Sequence, residues 1–158
     1  MNSLSAEVCV RRMAAEDLAR MIAIEQSLKD APHWGLSAYL SALDPKASPR
    51  RIVLVAEVSQ TGAVVGFAVA SLLPPQAELE TIAVAAEAQR CGVARQLFAK
   101  LAEELRKAQA MELLLEVRAS NYPVIAFYRA LGFAQTGSRP RYYADPIEDA
   151  VLMRLPLE

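Results

Sequence analysis

The stretch that decides the fold of this chain is LETIAV at positions 79–84, followed by QRCGVA at positions 89–94. The first hexapeptide is apolar and partly β-branched, which is typical of a strand, and the second passes through Gly92 into an amphipathic helix. The apolar residues of that helix recur every four positions, at Val93, Leu97, Leu101 and Leu105. Because another apolar strand is predicted over residues 113–117, the three segments together predict a β–α–β crossover.

The loop between this strand and helix has the features of an anion site. Backbone N–H groups at a helix N-terminus lack partners within the helix and favour negative charge, so they suit phosphates. Gly92 and Ala94 are small enough to let a ligand approach the backbone, and Arg90 and Arg95 could neutralise phosphate oxygens. The loop matches neither a Walker loop nor GxGxxG. On these residues alone, an ordinary helix start with solvated arginines is the commoner explanation.

On both sides of this unit the chain alternates between helical and extended patterns. Further strands are predicted over residues 8–11, 52–58, 63–73, 133–136 and 150–155, and further helices over residues 16–28, 36–43 and 121–132. In the last helix Asn121 is the candidate N-cap, Pro123 lies in the first turn, and Gly132 marks the end. The resulting order, β-α-α-β-β-β-α-β-α-β-β, predicts an α/β fold with a mixed central sheet of about seven strands and helices on both faces.

Length and composition limit the class of protein. A chain of 158 residues has the size of one domain, and we expect a single domain over residues 1–158. Hydrophobic residues make up 54% of the chain and charged residues 22%, which excludes a disordered or fibrous protein. The formal net charge of −1 argues against an extended nucleic-acid interface.

Zinc, disulfide and membrane proteins are also disfavoured by the residue pattern. Cys9 and Cys91 are far apart and His33 is the one histidine, so a Cys/His zinc site lacks ligands and a disulfide framework is excluded. The most apolar stretch, residues 63–73, is too short to span the ~30 Å hydrocarbon core of a membrane. No targeting segment is recognisable near the N-terminus, so we expect a soluble cytoplasmic domain without nucleic-acid or membrane partners.

Three segments, in the same order along the chain, carry a resemblance to a known family. QRCGVA (89–94) resembles the Q/RxxGxG/A acetyl-CoA motif of the GNAT N-acetyltransferase superfamily. LEVRASN (115–121) and AFYRALGF (126–133) resemble its later motif. RYY (141–143) and EDA (148–150) are further similar to the RimI branch of the superfamily, the ribosomal-protein N-terminal-alanine acetyltransferases.

The resemblance covers about residues 79–153 closely and the N-terminal half more loosely. It implies a GNAT fold that acetylates an amine, here a protein N-terminus such as that of a ribosomal protein, with acetyl-CoA as co-substrate and without a metal. Main-chain groups of Ile82, Ala83 and Val84 would then contact the pantetheine arm and the acetyl oxygen. The resemblance places the diphosphate on the loop and the helix start, at Gln89, Arg90, Cys91, Gly92, Val93, Ala94 and Arg95.

Glu116 is the candidate general base for the amine. It lies in the apolar run LLLEV (113–117), where a carboxylate is costly to bury, and the resemblance implies the role of the family's catalytic glutamate. On the residues alone it is equally an acid near a strand end, solvated or paired with Arg118. Because the amine attacks the thioester directly in this family, Cys91 is expected to be an ordinary loop residue.

Tyr128 is the candidate general acid for the departing thiolate, through its match to the family's catalytic tyrosine. An apolar stripe on the same helix contains Val124, Phe127, Tyr128 and Leu131, so Tyr128 is alternatively a core residue. Asn121 would cap the helix, and the resemblance adds a hydrogen bond from Asn121 to the pantetheine arm.

The candidate acceptor-binding residues are Trp34, Glu80, Tyr142 and Tyr143, because acids and aromatic faces can position an N-terminal ammonium. Trp34 is alternatively a core residue, and the tyrosine pair a strand end. Two other functions stay open: a GNAT enzyme acting on a small-molecule amine or a lysine side chain, and a non-catalytic acyl-CoA-binding module. The presence of both a candidate base and a candidate acid favours catalysis.

Overall fold

The structure, a computed structural model, describes residues 7–28 and 35–157. Its strands are β1 (Val8–Arg12), β2 (Arg50–Val58), β3 (Val64–Leu73), β4 (Gln76–Val84), β5 (Glu112–Arg118), β6 (Ala134–Tyr143) and β7 (Glu148–Pro156). Its α-helices are α1 (Leu18–Ser27), α2 (Gly35–Leu43), α3 (Val93–Lys107) and α4 (Tyr122–Ala130). The predicted order of elements and the mixed sheet are confirmed.

The seven strands form one sheet in the order β1-β2-β3-β4-β5-β7-β6, in which only β4 and β5 are parallel. The parallel pair is unusually short. It begins at Gln76 opposite Glu112 and ends at Glu78 opposite Leu114, although both strands run further. The carboxyl-terminal halves of β4 and β5 therefore separate and leave a gap in the middle of the sheet.

The helices cover the two faces of the sheet, as predicted. On one face the apolar stripe of α3 is buried and forms a cluster with Leu113, Leu115 and Val117 of β5 and with Tyr128 of α4. On the other face, Met21 and Ile24 of α1 and Tyr39 of α2 pack on Phe67, Val53 and their neighbours. Because the second cluster stops at β4, the β5–β7 part of that face is left without a helix in the described residues.

A glycine in β3 sets how closely α3 approaches the sheet. A Cβ atom at Gly66 would lie 3.0 Å from the Ala83 carbonyl oxygen, 3.2 Å from Leu97 Cδ1 and 3.3 Å from Val93 Cγ1. These distances are tighter than ordinary van der Waals contacts, so only glycine lets the first turns of α3 pack directly on β3 and β4. The loop before α3 is thereby fixed beside the end of β4.

Two strands are longer than the sequence patterns indicated. β4 starts at Gln76 instead of residue 79, because Gln76 pairs with Leu73 across the hairpin and with Glu112 of β5. β6 continues to Tyr143 instead of ending at residue 136. β6 lies at the sheet edge and is mostly exposed along its length, so no alternation of apolar residues marks it in the sequence.

No helix within residues 7–28 and 35–157 is both long enough and apolar enough to cross a bilayer.

Candidate active site

The gap between β4 and β5 exposes one edge of β4. Residues Ile82, Ala83 and Val84 pair with β3 on one side, and beyond Glu78 no described strand pairs with their other side. A strand edge of this kind offers unpaired N–H and C=O groups to an extended ligand. The three residues predicted to contact the pantetheine arm thus lie along an open edge, although nothing in the structure tests that contact.

The loop from β4 to α3 is folded by its own residues. The Gln89 side-chain amide donates to the Val84 carbonyl oxygen at 3.0 Å, which ties the loop to the end of β4. Arg90 and Gly92 both adopt left-handed backbone conformations, with φ of 63° and 81°. Cys91 Sγ lies 3.3 Å from the Gln89 carbonyl oxygen. The Gln89 amide is therefore occupied within the protein, and the loop presents its backbone rather than that side chain.

The backbone N–H groups at the start of α3 form a row of unpaired donors. No acceptor for the amides of residues 90–95 exists in the part of the chain that the structure describes, and no side chain caps the helix. Arg90 and Arg95 are exposed beside them and make no ion pair with any described residue. Such amides at a positive helix end, flanked by two guanidinium groups, are suited to bind an anion with several oxygens.

Glu116 lies on the face of β5 that no helix of the described residues covers. Its neighbours Leu115 and Val117 point into the α3–α4 cluster, so the alternation of a strand turns Glu116 to the opposite face. Its Oε2 atom is buried and has no hydrogen-bond partner among the described residues. A buried carboxylate oxygen left without a partner is costly, and such atoms are found where a reaction or a ligand uses them.

Arg118 is not the partner of Glu116, which excludes one of the two alternatives raised for this acid. Arg118 Nη1 lies 3.3 Å from Glu148 Oε1, and its guanidinium also donates to the carbonyl oxygens of Ala144 and Pro146. The same guanidinium stacks on the Tyr143 ring, with the Arg118 Cζ atom 4.5 Å from the ring centroid. The turn between β6 and β7 thus holds Arg118.

Tyr142 comes close to Glu116, which joins one of the predicted acceptor residues to the candidate base. Hydrogen bonding to the Glu116 carboxylate raises the pKa of the Tyr142 phenol, and the negative charge of Glu116 adds to this effect. The rings of Tyr142 and Tyr143 meet edge to face, with centroids 5.0 Å apart. The Arg139 guanidinium lies over the Tyr142 ring at 5.5 Å. Tyr142 and Tyr143 form the end of β6, which agrees with the alternative interpretation of the pair as a strand end. Both rings also lie near Glu116.

Tyr128 lies on the other face of the sheet from Glu116. Its side chain is 7% exposed and packs edge to face against Phe127 and Phe133, with centroid distances of 5.4 Å to each. Burial raises the pKa of the Tyr128 phenol. Tyr128 is therefore part of the hydrophobic core, which confirms the alternative interpretation given for it. It can meet the same bound molecule as Glu116 only through the gap between β4 and β5, because elsewhere the sheet separates them.

The capping role of Asn121 is confirmed. Its Oδ1 atom accepts a hydrogen bond from the Val124 backbone N–H at 3.4 Å, at the start of α4. This contact satisfies one of the unpaired donors of the first helical turn. The additional contact of Asn121 with a pantetheine arm stays a prediction.

Glu80 sits at an irregularity of β4. Val69 pairs with Thr81 and Ala70 with Leu79, so Glu80 is an extra residue with no partner on β3. Its carboxylate is held by Arg51, with Arg51 Nε 2.7 Å from Glu80 Oε2 and a second contact of 3.3 Å. The negative charge of this predicted acceptor residue is therefore already balanced by a cation of β2. Trp34 and His33 lie outside the described residues.

Sequence reasoning missed Glu78, which lines a groove on the uncovered face. The groove has a volume of about 280 Å³, and its walls include Glu78, Leu114, Glu116, Thr136 and Arg139. Glu78 is exposed to solvent at the groove, and the pKa of its carboxyl is raised, first by partial burial and then by the negative charges of Glu116 and Glu80. The alternation of Ala77, Glu78, Leu79 and Glu80 could have revealed it, because it predicts that both acids share one face. Within residues 7–28 and 35–157 no three acidic, His or Cys side chains are placed to hold a metal.

Known proteins are similar to this chain in sequence and in fold. Residues 19–133 match the model of the acetyltransferase (GNAT) family. The [ribosomal protein bS18]-alanine N-acetyltransferase of Escherichia coli is 41% identical over 103 residues, which cover 64% of this chain and 70% of that protein. A putative enzyme of the same name from Bacillus subtilis is 30% identical over 150 residues, or 95% of this chain and 96% of that protein. The crystal structure of the E. coli ribosomal-protein-S18-alanine N-acetyltransferase superposes with a TM-score of 0.81 at 33% identity, covering 96% of this chain and 95% of that one. The chain thus belongs to the acetyltransferase (GNAT) family and is an enzyme that transfers an acetyl group to an amine.

Proposed function

We propose that this protein transfers the acetyl group of acetyl-CoA to the α-amine of a protein N-terminus, and that a ribosomal protein is its acceptor. The observation that carries the proposal is the unpartnered Oε2 atom of Glu116, buried on the uncovered face of β5 beside the gap in the sheet. The names of the two relatives described above support the N-terminal alanine as acceptor. We treat residues 1–158 as one catalytic domain, and a ribosomal-protein acceptor would place the reaction in the cytoplasm.

Acetyl-CoA would be bound mainly by the backbone. The unpaired amides of residues 90–95, with Arg90 and Arg95 beside them, would hold the diphosphate at the positive end of α3. The pantetheine arm would follow the open edge of β4 at Ile82, Ala83 and Val84, with Asn121 on the opposite side of the gap. This route brings the thioester into the gap, where residues from both faces of the sheet can reach it.

Three groups then have defined chemical tasks. The amine nitrogen bonds to the thioester carbonyl carbon while its proton passes to the Glu116 carboxylate, directly or through a water molecule. The carbonyl oxygen gains negative charge, which backbone N–H groups at the end of β4 can stabilise. When the carbon–sulfur bond breaks, the thiolate takes the phenolic proton of Tyr128. Burial raises the pKa of Tyr128, so the phenol is protonated when the thiolate forms, although the same shift makes it a weaker acid.

The acceptor would enter along the groove on the uncovered face. Tyr142 lies beside Glu116, which lines this groove, and its ring meets that of Tyr143. The two rings would offer apolar surface to the first residues of a peptide. Trp34 stays a candidate acceptor-binding residue.

A panel of acceptors tests the proposal. Peptides with a free N-terminal alanine or serine are compared with the same peptides carrying a blocked N-terminus and one lysine, and with spermidine. We expect acetylation of the free N-termini, with mass spectrometry placing the acetyl group on the α-nitrogen. Turnover of lysine or spermidine alone would contradict the proposal, and so would the absence of acetyl-CoA binding to the folded protein by calorimetry.

A further inference from the structure

We infer that Glu78 is an acceptor-binding residue that holds the ammonium form of the acceptor beside Glu116 before the amine loses its proton. The inference rests on the proposed function, because it takes the groove on the uncovered face as the acceptor site. It adds a residue of β4 to a site whose candidate base lies on β5.

The position of Glu78 at the point where β4 and β5 separate supports this role. Glu78 pairs with Leu114 at the last rung that joins β4 and β5, immediately before the two strands separate. Leu114 and Glu116 are two residues apart on the same face of β5, a rise of about 7 Å. Glu78 and Glu116 line the same groove, one from each side of the gap. A small cationic group at the mouth of the gap would therefore have one carboxylate on either side.

The negative charge of Glu78 also supports this role. Glu80 is neutralised by Arg51, whereas Glu78 makes no hydrogen bond or ion pair within the described part of the chain. The nearest guanidinium in the groove is that of Arg139, which lies over the Tyr142 ring. The negative charges of Glu116 and Glu80 raise the pKa of Glu78 more than the guanidinium groups of Arg139 and Arg51 lower it, so the carboxylates of Glu78 and Glu116 repel each other. A bound cation would relieve this repulsion.

The chemistry of the acceptor meets this requirement. An α-amino group has a pKa of about 8, so at pH 7 most acceptor molecules are ammonium ions. An ammonium group has three N–H donors and can bond to Glu78 and Glu116 at once. The ammonium releases one proton to solvent before it reacts, and Glu116 takes the second proton as the amine attacks the thioester. The neutral amine gains less from Glu78. Glu78 therefore stabilises the bound acceptor more than the transition state, and its removal should raise KM more than it lowers kcat.

The test compares Glu78→Gln with Glu112→Gln. Glu112 lies on the same face at the far end of β5, pairs with Arg154, and does not itself line the groove. It accepts one hydrogen bond from Gln76, which does line the groove, and a glutamine at position 112 can still accept that bond, so the variant removes a charge while keeping this contact. We expect Glu78→Gln to raise KM for a peptide with a free N-terminal alanine by about 10-fold or more, the scale of one hydrogen bond to a charged group. The value of kcat should stay within about 2-fold. Glu78→Asp should recover part of the affinity, and Glu112→Gln should behave as the wild type.

A second peptide identifies what Glu78 binds. The peptides differ only at the second residue, which is either alanine or lysine, and their binding to the coenzyme A complex is also titrated directly. An equal loss for both peptides supports ammonium binding. A loss confined to the lysine peptide would overturn the inference, since Glu78 would then bind a side chain, and an unchanged KM would overturn it too. If the wild type acetylates no free N-terminus, the proposed function fails first, and spermidine then replaces the peptide in the same comparison of variants.

Discussion

Arg118 Nη1 lies 3.3 Å from Glu148 Oε1, and this ion pair keeps the guanidinium away from Glu116, two residues earlier on the same face of β5. Glu148 also accepts a hydrogen bond from the Ser120 backbone N–H at 2.6 Å, so β7 holds the segment that follows β5. Glu148 thus occupies the guanidinium of Arg118, and the Glu116 oxygen is left without a partner among the described residues.

Glu148→Gln should weaken this arrangement and lower turnover. Without the anion, Arg118 keeps its contacts with two carbonyl oxygens and the Tyr143 ring but loses its ion pair, so it can turn toward Glu116. A base held by a guanidinium is less able to accept a proton. We expect kcat to fall by about 10-fold, the scale of one charged hydrogen bond, with acetyl-CoA affinity unchanged in calorimetry. The double variant Glu148→Gln with Arg118→Gln should recover most of the rate. A double variant as slow as the single one would show that Glu148 does not act through Arg118.

Glu116→Gln and Tyr128→Phe should each reduce kcat by about 10²-fold or more, because each removes one proton-transfer group. Both substitutions keep the shape of the side chain, so acetyl-CoA affinity and melting temperature should change little. Single-turnover rates with saturating acetyl-CoA measure the effect on the chemical step. Wild-type rates in both variants would remove the assignment of base and acid.

Local patterns were sufficient for the existence and order of the elements and for the contacts made within one element, but not for the full lengths of β4 and β6. The four-residue spacing of α3 and the cap at Asn121 are properties of neighbouring residues, and both are confirmed. The three-residue pairing of β4 with β5 is different, because register between distant strands depends on packing that no local pattern encodes. The gap in the sheet was therefore not predictable from either strand.

In the candidate site, too, the relations between residues on different elements could not be predicted from local patterns. The sequence and its family resemblance identified Glu116 and Tyr128 as candidate base and acid, but they did not predict that the two residues lie on opposite faces of the sheet. That relation depends on which side of β5 the helix α4 packs, and the cluster around Leu115 and Val117 shows it. The ion pair between Glu80 and Arg51 could not be predicted either, because Arg51 lies 29 residues away on another strand.

Gly92→Ala should separate the binding role of the loop from its folding role. Gly92 has a φ of 81°, and Gly62, in the turn between β2 and β3, has a φ of 75°; neither has an atom within 4 Å of an added Cβ. Alanine in this conformation costs about 1–2 kcal/mol at either place. We expect similar losses of stability in both variants by chemical denaturation, but weaker acetyl-CoA binding, by about 10-fold, only in Gly92→Ala. Equal affinities in the two variants would argue against diphosphate binding at this loop.

Asp17→Asn should lower stability in a pH-dependent manner. Asp17 is 5% exposed, receives two hydrogen bonds from Arg11, at 2.8 and 3.0 Å, and accepts one from the Ala14 N–H at 2.8 Å. Hydrogen bonding from Arg11 holds the pKa of Asp17 below its usual value, against the opposing effect of burial.

A depressed pKa contributes stability above the unfolded-state value of about 3.9, and this contribution is lost as the pH falls through the lower folded-state pKa. The variant should therefore be less stable than the wild type by about 1–3 kcal/mol at pH 7, as for a hydrogen-bonded charged group. The difference should shrink as the pH falls below about 4. Urea denaturation at pH 7 and pH 3 measures both values, with Glu16→Gln as the exposed neighbouring control. An equal difference at the two pH values would show that the charge of Asp17 is not what stabilises the start of α1.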